Sequence, residues 1–319
     1  MHLLIPFASA ASVPAQHVLR DIPLPHLTQL LKRLTPVQRL EGDEYSLTPP
    51  HERALAEAWG WQGSDGCWPF AAESAASDGL AVGDKAWGLM TPVHWLIGRD
   101  NVTLTDPAAL HLQEPESRAI FEAVRLLFES EGFGLHWAAP TRWYLQHDSL
   151  ALLPCASLDR VLGRPVDLWL QASAAMSATA QAEMRRLRRL QNEFQMLLYP
   201  HEITNQRDAK GLSAVNSFWL SGCGRWQPKS TDHPIEVNQA LRTPLLADDW
   251  TLWREAWMRL DGEVLAQWNQ AVKQGEPVTL TLCGERHAQS WGTPTRTSVL
   301  KRLKDSFSTP DTAVWLQAL

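Results

Sequence analysis

The residues best suited to chemistry lie in the stretch 192–224, NEFQMLLYPHEITNQRDAKGLSAVNSFWLSGCG. A helical pattern stops at Pro200, and His201, Asn205 and Arg207 follow in a polar segment that reads as a loop. Loops between rigid elements are where binding groups concentrate. A guanidinium offers a planar fork that matches phosphate or carboxylate oxygens. Asn216, at the start of the next strand, adds an amide donor. The chemistry open to this set is recognition of a small anion. The same residue types also suit a structural use, in which His201 and Asn205 tie down loop backbone and Arg207 pairs with a nearby acid.

Signatures of several enzyme classes are missing from the sequence. There is no Gly-x-x-x-x-Gly-Lys loop, no dinucleotide glycine fingerprint, no His-Glu-x-x-His and no Gly-x-Ser-x-Gly elbow, which counts against a kinase, dehydrogenase, metalloprotease or esterase. Cys67, Cys155, Cys223 and Cys283 are widely spaced, with no Cys-x-x-Cys pair. They read as reduced thiols of a cytoplasmic protein, not as zinc ligands or a disulfide framework. A net charge of -6 argues against general nucleic-acid binding, which relies on a positive field. No stretch approaches the ~20 apolar residues of a membrane helix. The short apolar run at 3–7 precedes Ala8-Ser9-Ala10, which mimics a cleavage site, but Arg20 is the first Lys or Arg. Without a basic leader this run reads as a buried strand.

Rigid elements must position the polar stretch. Helices are expected at 24–34, 50–59, 114–131, 179–199, 250–273 and 298–307, from apolar positions at helical spacing and acidic or proline starts. Strands are expected at 3–7, 135–137, 142–146, 278–283 and 313–316, with a strand pair across Gly98-Arg99-Asp100. The segment 60–79, rich in Gly, Ser and Ala, reads as loop. Arg185, Arg186, Arg188 and Arg189 sit opposite the apolar face of the 179–199 helix and read as a solvated face. The 16 tryptophans read mainly as core, since an indole buries much area and needs only one partner for its N–H. Alternating helices and strands favour an α/β class. The best joint is 222–231, dividing the chain into 1–225 and a helix-rich 226–319 packed on the same core.

His201, Asn205, Arg207, Gly211, Ala214-Val215-Asn216-Ser217, Trp219 and Gly222-x-Gly224 resemble the His-Pro-Val-Asn-x-x-Arg…Gly…Ala-Asn-x-x-Trp-x-Trp-Gly-x-Gly stretch of archaeal-type cofactor-independent phosphoglycerate mutases. Asn192-Glu193-Phe194 and Gly83-Asp84-Lys85-Ala86-Trp87 are similar to further segments of that family. Pro92-Val93-His94, Arg99-Asp100 and Arg142-Trp143-Tyr144-Leu145 look like the shorter bacterial RpfE-type regulatory proteins. The resemblance spans roughly 24–224. It implies a reduced alkaline-phosphatase-like scaffold, a mixed sheet with flanking helices. It also implies a site to which His94, Arg99 and Arg142 contribute beside His201, Asn205, Arg207 and Asn216.

The family uses two metal ions held by Asp and His, with a serine nucleophile. Here the first strand leads to Ala8-Ser9 where the family has Asp-Gly. Asp232-His233 comes too early to match the family's late ligand cluster and reads as a polar turn before Pro234. Nothing marks Ser74 or Ser77 as activated, so catalytic residues stay unassigned. Three functions follow as expectations. The first is a degenerate, regulatory relative that binds a small phosphorylated or carboxylic acid and needs no cofactor. The second is an active mutase or phosphatase using Mn or Zn. The third is a partner-binding protein, with a homodimer among its forms, resting on the tryptophan content. No nucleic acid and no membrane partner is expected.

Overall fold

A computed structural model describes residues 1–99, 101–170, 176–230, 234–294 and 312–319. The expected helix at 298–307 and the Asp232-His233 pair lie outside these residues. The chain forms two compact units. One contains Met1–Tyr45, Pro49–Gly60 and Lys229–Leu319; the other contains Ser46–Thr48 and Trp61–Pro228. The expected joint at 222–231 includes the passage from one unit to the other. The first 60 residues, apart from 46–48, share a unit with the last ninety or so and not with the middle of the chain.

With elements numbered along the whole chain, the first unit holds β1 (His2–Ile5), α1 (Val13–Asp21), α2 (Pro25–Arg33), β2 (Thr35–Leu40) and α3 (Pro50–Ala58). It continues with β9 (Ile235–Val237), α10 (Arg242–Leu246), α11 (Trp250–Leu260), α12 (Ala266–Lys273), β10 (Thr279–Cys283), β11 (Ala288–Gly292) and α13 (Thr312–Gln317). Its sheet is mixed, in the order β2-β11-β10-β1-β9. β1 runs parallel to both neighbours, with Leu3 opposite Leu280 and Glu236, while β11 is antiparallel to β10 and β2. The runs HLLI and TLTLC are almost continuously buried, as central parallel strands require. Leu3, Ile5, Leu280 and Leu282 share a core with Leu27, Leu30, Trp253 and Trp257. Leu4 and Cys283 pack in a second cluster with Ala54. A π-helical turn, Asp261–Leu265, joins α11 to α12. Its buried Asp261 carboxylate accepts from the backbone N–H groups of His26 (3.1 Å) and Leu27 (2.8 Å). It thereby caps α2, whose Leu24 N-cap has no side-chain bond to give.

The second unit holds α4 (Phe70–Ser77), β3 (Ala86–Val93), β4 (Trp95–Ile97), β5 (Val102–Leu104), α5 (Glu114–Glu129), β6 (Gly134–Ala139) and β7 (Arg142–Gln146). It ends with α6 (Leu158–Val161), α7 (Asp167–Leu170), α8 (Ala178–Leu198), α9 (Glu202–Ala209) and β8 (Ser217–Arg225). An antiparallel sheet in the order β6-β7-β3-β8 is its centre. Trp87 and Tyr144 turn to one face and meet Ala71, Ala72 and Ala75 of α4. Met90, Trp143, Leu145 and Phe218 turn to the other, against Ile120, Val124 and Phe128 of α5 and Leu187, Leu190 and Phe194 of α8.

The mixed α/β class is as expected, and three local readings are corrected. The segment 60–79 contains α4, because the alanines of FAAESAAS favour helix more than its serines oppose it. The polar segment after Pro200 is helix α9, not loop, with His201 as its N-cap. The strand expected at 313–316 is helix α13; a short apolar run does not by itself distinguish the two. Among the described residues, ten tryptophans are buried. The arginine face of α8 is only partly solvated: Arg186 is half-buried, pairs with Glu131 and Glu183, and lies over the Phe133 ring.

Candidate functional site

All seven residues proposed from sequence lie in the second unit. The folding of 201–217 explains where they go. His201 ends the preceding turn, and its Nδ1 accepts from Ile203 N–H (3.2 Å), fixing the start of α9. Asn205 is on the exposed side of that helix, and Arg207 is on the inward side, with no exposed surface. Its Nε donates to Ser213 O (2.7 Å), Nη1 to Glu116 Oε2 (2.6 Å) and Nη2 to Leu110 O (2.6 Å). One guanidinium thus ties α9 to the first turn of α5, to the 3-10 turn Pro107–Leu110 and to the approach to β8. Its charge is met by Glu116 and its donors face the protein's own oxygens. The structural use of Arg207 is the one realised.

Asn216 and His94 are also turned to the backbone. The Asn216 amide accepts from Trp95 N–H (2.7 Å) and donates to Trp95 O (3.0 Å), imitating a strand partner for β4. His94 Nδ1 donates to Ala214 O (2.8 Å). His94, Asn216 and Arg207 therefore converge on the segment 207–216, as braces. Arg142 belongs to another cluster. Its Nε and Nη2 each lie 2.7 Å from an oxygen of Asp78, and the buried Tyr144 hydroxyl donates to the same carboxylate at 2.7 Å. The Arg142 hydrogen bonds hold the Asp78 carboxyl below its usual range. Burial first, and the hydrogen bond to Asp78 second, push the Tyr144 phenol up. Arg99 is exposed, in the turn between β4 and β5.

What Asn216 and His94 hold is the β4–β5 hairpin. Gly98 N–H closes its turn on Asn101 O (2.8 Å), and Val166 and Gly163 N–H groups occupy the outer edge of β5 at Val102 O (2.8 Å) and Leu104 O (3.2 Å). The Asn216 amide blocks β4 at Trp95. Leu96 and Ile97 nevertheless stand 54% and 69% exposed, with Arg99 beside them in sequence. Sequence reasoning placed this strand pair but gave Leu96 and Ile97 no role, since apolar residues in a short strand read as core. It also missed Glu116 and Asp78, because residue types do not reveal which acid a given arginine meets.

The mutase resemblance implies a two-metal centre. Within either unit taken alone, no three described His, Cys, Asp or Glu side chains bring ligand atoms close enough to share an ion.

No family model matches the chain, and no curated protein matches it. Solved structures similar to it include a cofactor-independent phosphoglycerate mutase from Thermoplasma acidophilum DSM 1728, 11% identical over 93% of this chain and 90% of that one, with a TM-score of 0.38. Another is the PH0037 protein of Pyrococcus horikoshii, 12% identical over 93% of this chain and 88% of that one, with a TM-score of 0.46. Likeness at this level concerns the course of the chain alone and carries nothing about the site. Among the described residues, no helix is long and apolar enough to cross a membrane.

Proposed function

We propose that this chain is a regulatory binding protein and that the β4–β5 hairpin is its recognition element. One observation carries the reading: the polar residues expected to grip a ligand instead brace a hairpin that holds Leu96 and Ile97 in solvent. Exposed apolar side chains on a fixed backbone favour partner binding, since little conformational entropy remains to be lost on docking. Arg99, exposed at the turn, adds a cation suited to a carboxylate or phosphate. The expected anion recognition is thus carried by Arg99, while Asn216 and His94 position the element from behind. The partner is an apolar segment bearing an acidic group. The mutase-like residues His201, Arg207 and Asn216 are present here as structural braces, which supports a mutase-like scaffold used for binding.

Photocrosslinking tests this reading. A benzophenone amino acid at position 97, in cells of the source organism, should give one dominant crosslinked protein, a second copy of the chain included. The same group at exposed Leu126 should give none. The Leu96→Asp substitution should abolish the crosslink without lowering thermal stability. Equal labelling from both positions, or none from position 97, defeats the proposal.

A further inference from the structure

Cys155 and Cys223 face each other in the second unit, both free thiols, with sulfurs 3.7 Å apart. Their juxtaposition is built by irregular backbone. The pairing of β3 with β8 shifts between Trp87 and Leu89, a bulge of the kind that re-aims a side chain. Gly222 has φ +62, and a Cβ there would lie 2.9 Å from Ala71 N. Opposite, a Cβ on Gly88 would stand 3.1 Å from Cys223 Sγ. On the other side, Cys155 N–H bonds Gly66 O (3.0 Å), which sets Cys67, a third buried thiol, next to the pair in the fold.

The two sulfurs are not equivalent. Cys155 lines a cavity of about 20 Å³ with Ala156, Trp169, Met184, Gln191 and Trp219, room for a molecule of about water size. Cys223 has no exposed surface and does not line it. The Cys223 S–H donates to the Cys155 sulfur. The same hydrogen bond, and then burial, push the Cys223 thiol up, keeping it protonated.

We propose that Cys155 and Cys223 are a redox-active dithiol, Cys155 taking hydrogen peroxide and Cys223 resolving it to a disulfide. The Cys155 sulfur attacks one peroxide oxygen and the O–O bond breaks. One oxygen stays as the sulfenic acid, and the other leaves as water with the Cys155 proton. The Cys223 sulfur then attacks the Cys155 sulfur, the S–S bond forms, and the sulfenic hydroxyl leaves as a second water with the Cys223 proton. One peroxide is reduced and two thiols are oxidised.

The test treats the full chain with hydrogen peroxide, then counts thiols in denaturant and maps peptides. The wild type should lose two of its four thiols, yield one linked peptide joining Cys155 to Cys223, and recover both thiols with dithiothreitol. Cys223→Ser should accumulate a sulfenic acid on Cys155 that dimedone traps, and the wild type should not. Retention of all four thiols under native conditions overturns the proposal. So does linkage of Cys155 to Cys67, or a trapped sulfenic acid on any other cysteine. The wild-type map is decisive even where a variant fails to fold.

Discussion

Arg207 and Glu116 meet at 2.6 Å, with the guanidinium wholly buried and the carboxylate side chain 17% exposed. Truncating one partner strands the other's charge, which typically costs about 3–5 kcal/mol, and Arg207→Ala also leaves the carbonyls of Leu110 and Ser213 without a donor. Urea unfolding should show a loss of that order for Arg207→Ala. Arg207→Met combined with Glu116→Gln should recover part of it, because no isolated charge remains. Asp78 offers a pH test. Its carboxyl is lowered in the folded state chiefly by Arg142, so its contribution is fully present above the unfolded carboxyl value of about 4 and is lost as pH falls through the lower folded value. Stability of the wild type should therefore drop more steeply in acid than that of Asp78→Asn, and parallel acid limbs would remove Asp78 from the account. These partners show what was legible at this scale. The residue types announced charge recognition; the sequence could not say that Glu116, 91 positions away from Arg207, and Asp78 supply the anions.

At the scale of elements, strong periodicity was readable and weak periodicity was not. α5 and α8 are long, with one apolar face each, and their cores at Val124, Phe128, Leu187 and Phe194 follow from spacing alone. α9 buries only Arg207 among its eight residues, so it has no apolar stripe to announce it. The β4–β5 hairpin depends on a side chain from outside. Asn216 supplies both a donor and an acceptor to Trp95, and protects the edge of β4 there as a neighbouring strand would. Asn216→Ala removes both bonds, at a cost of about 1–3 kcal/mol. Amide exchange at Trp95 should accelerate more than at Leu220 in the sheet centre; uniform acceleration would mean that the hairpin has no separate brace. In β8, Gly222→Ala forces a side chain into positive φ and against Ala71 N. That change should both destabilise the second unit and slow the joining of Cys155 to Cys223, since it disturbs the bulge that aims Cys223.

For the whole molecule, sheet order was the least legible property. β1 and β10 could be read as buried strands from their apolar runs, yet they pair His2 with Thr279, a separation that no local pattern encodes. The return of 229–319 to the sheet begun by residue 2 is likewise a long-range event, which is why a division near 225 followed composition while the units follow pairing. The second unit, in contrast, contains both ends of the Cys155–Cys223 link, which are 68 positions apart. A bond between them closes that loop in the unfolded chain, and loop-closure entropy for this length gives about 4 kcal/mol of stabilisation, less any strain in bringing the sulfurs together. For a unit of this size the change corresponds to a rise in Tm on the order of 10 °C. Calorimetry of peroxide-treated full chain should show a transition shifted upward by that order, returned to its original position by dithiothreitol and absent from Cys155→Ser. A transition that falls on oxidation would mean that closure strains β8 more than it restricts the unfolded chain, and the dithiol would then weaken the unit it links.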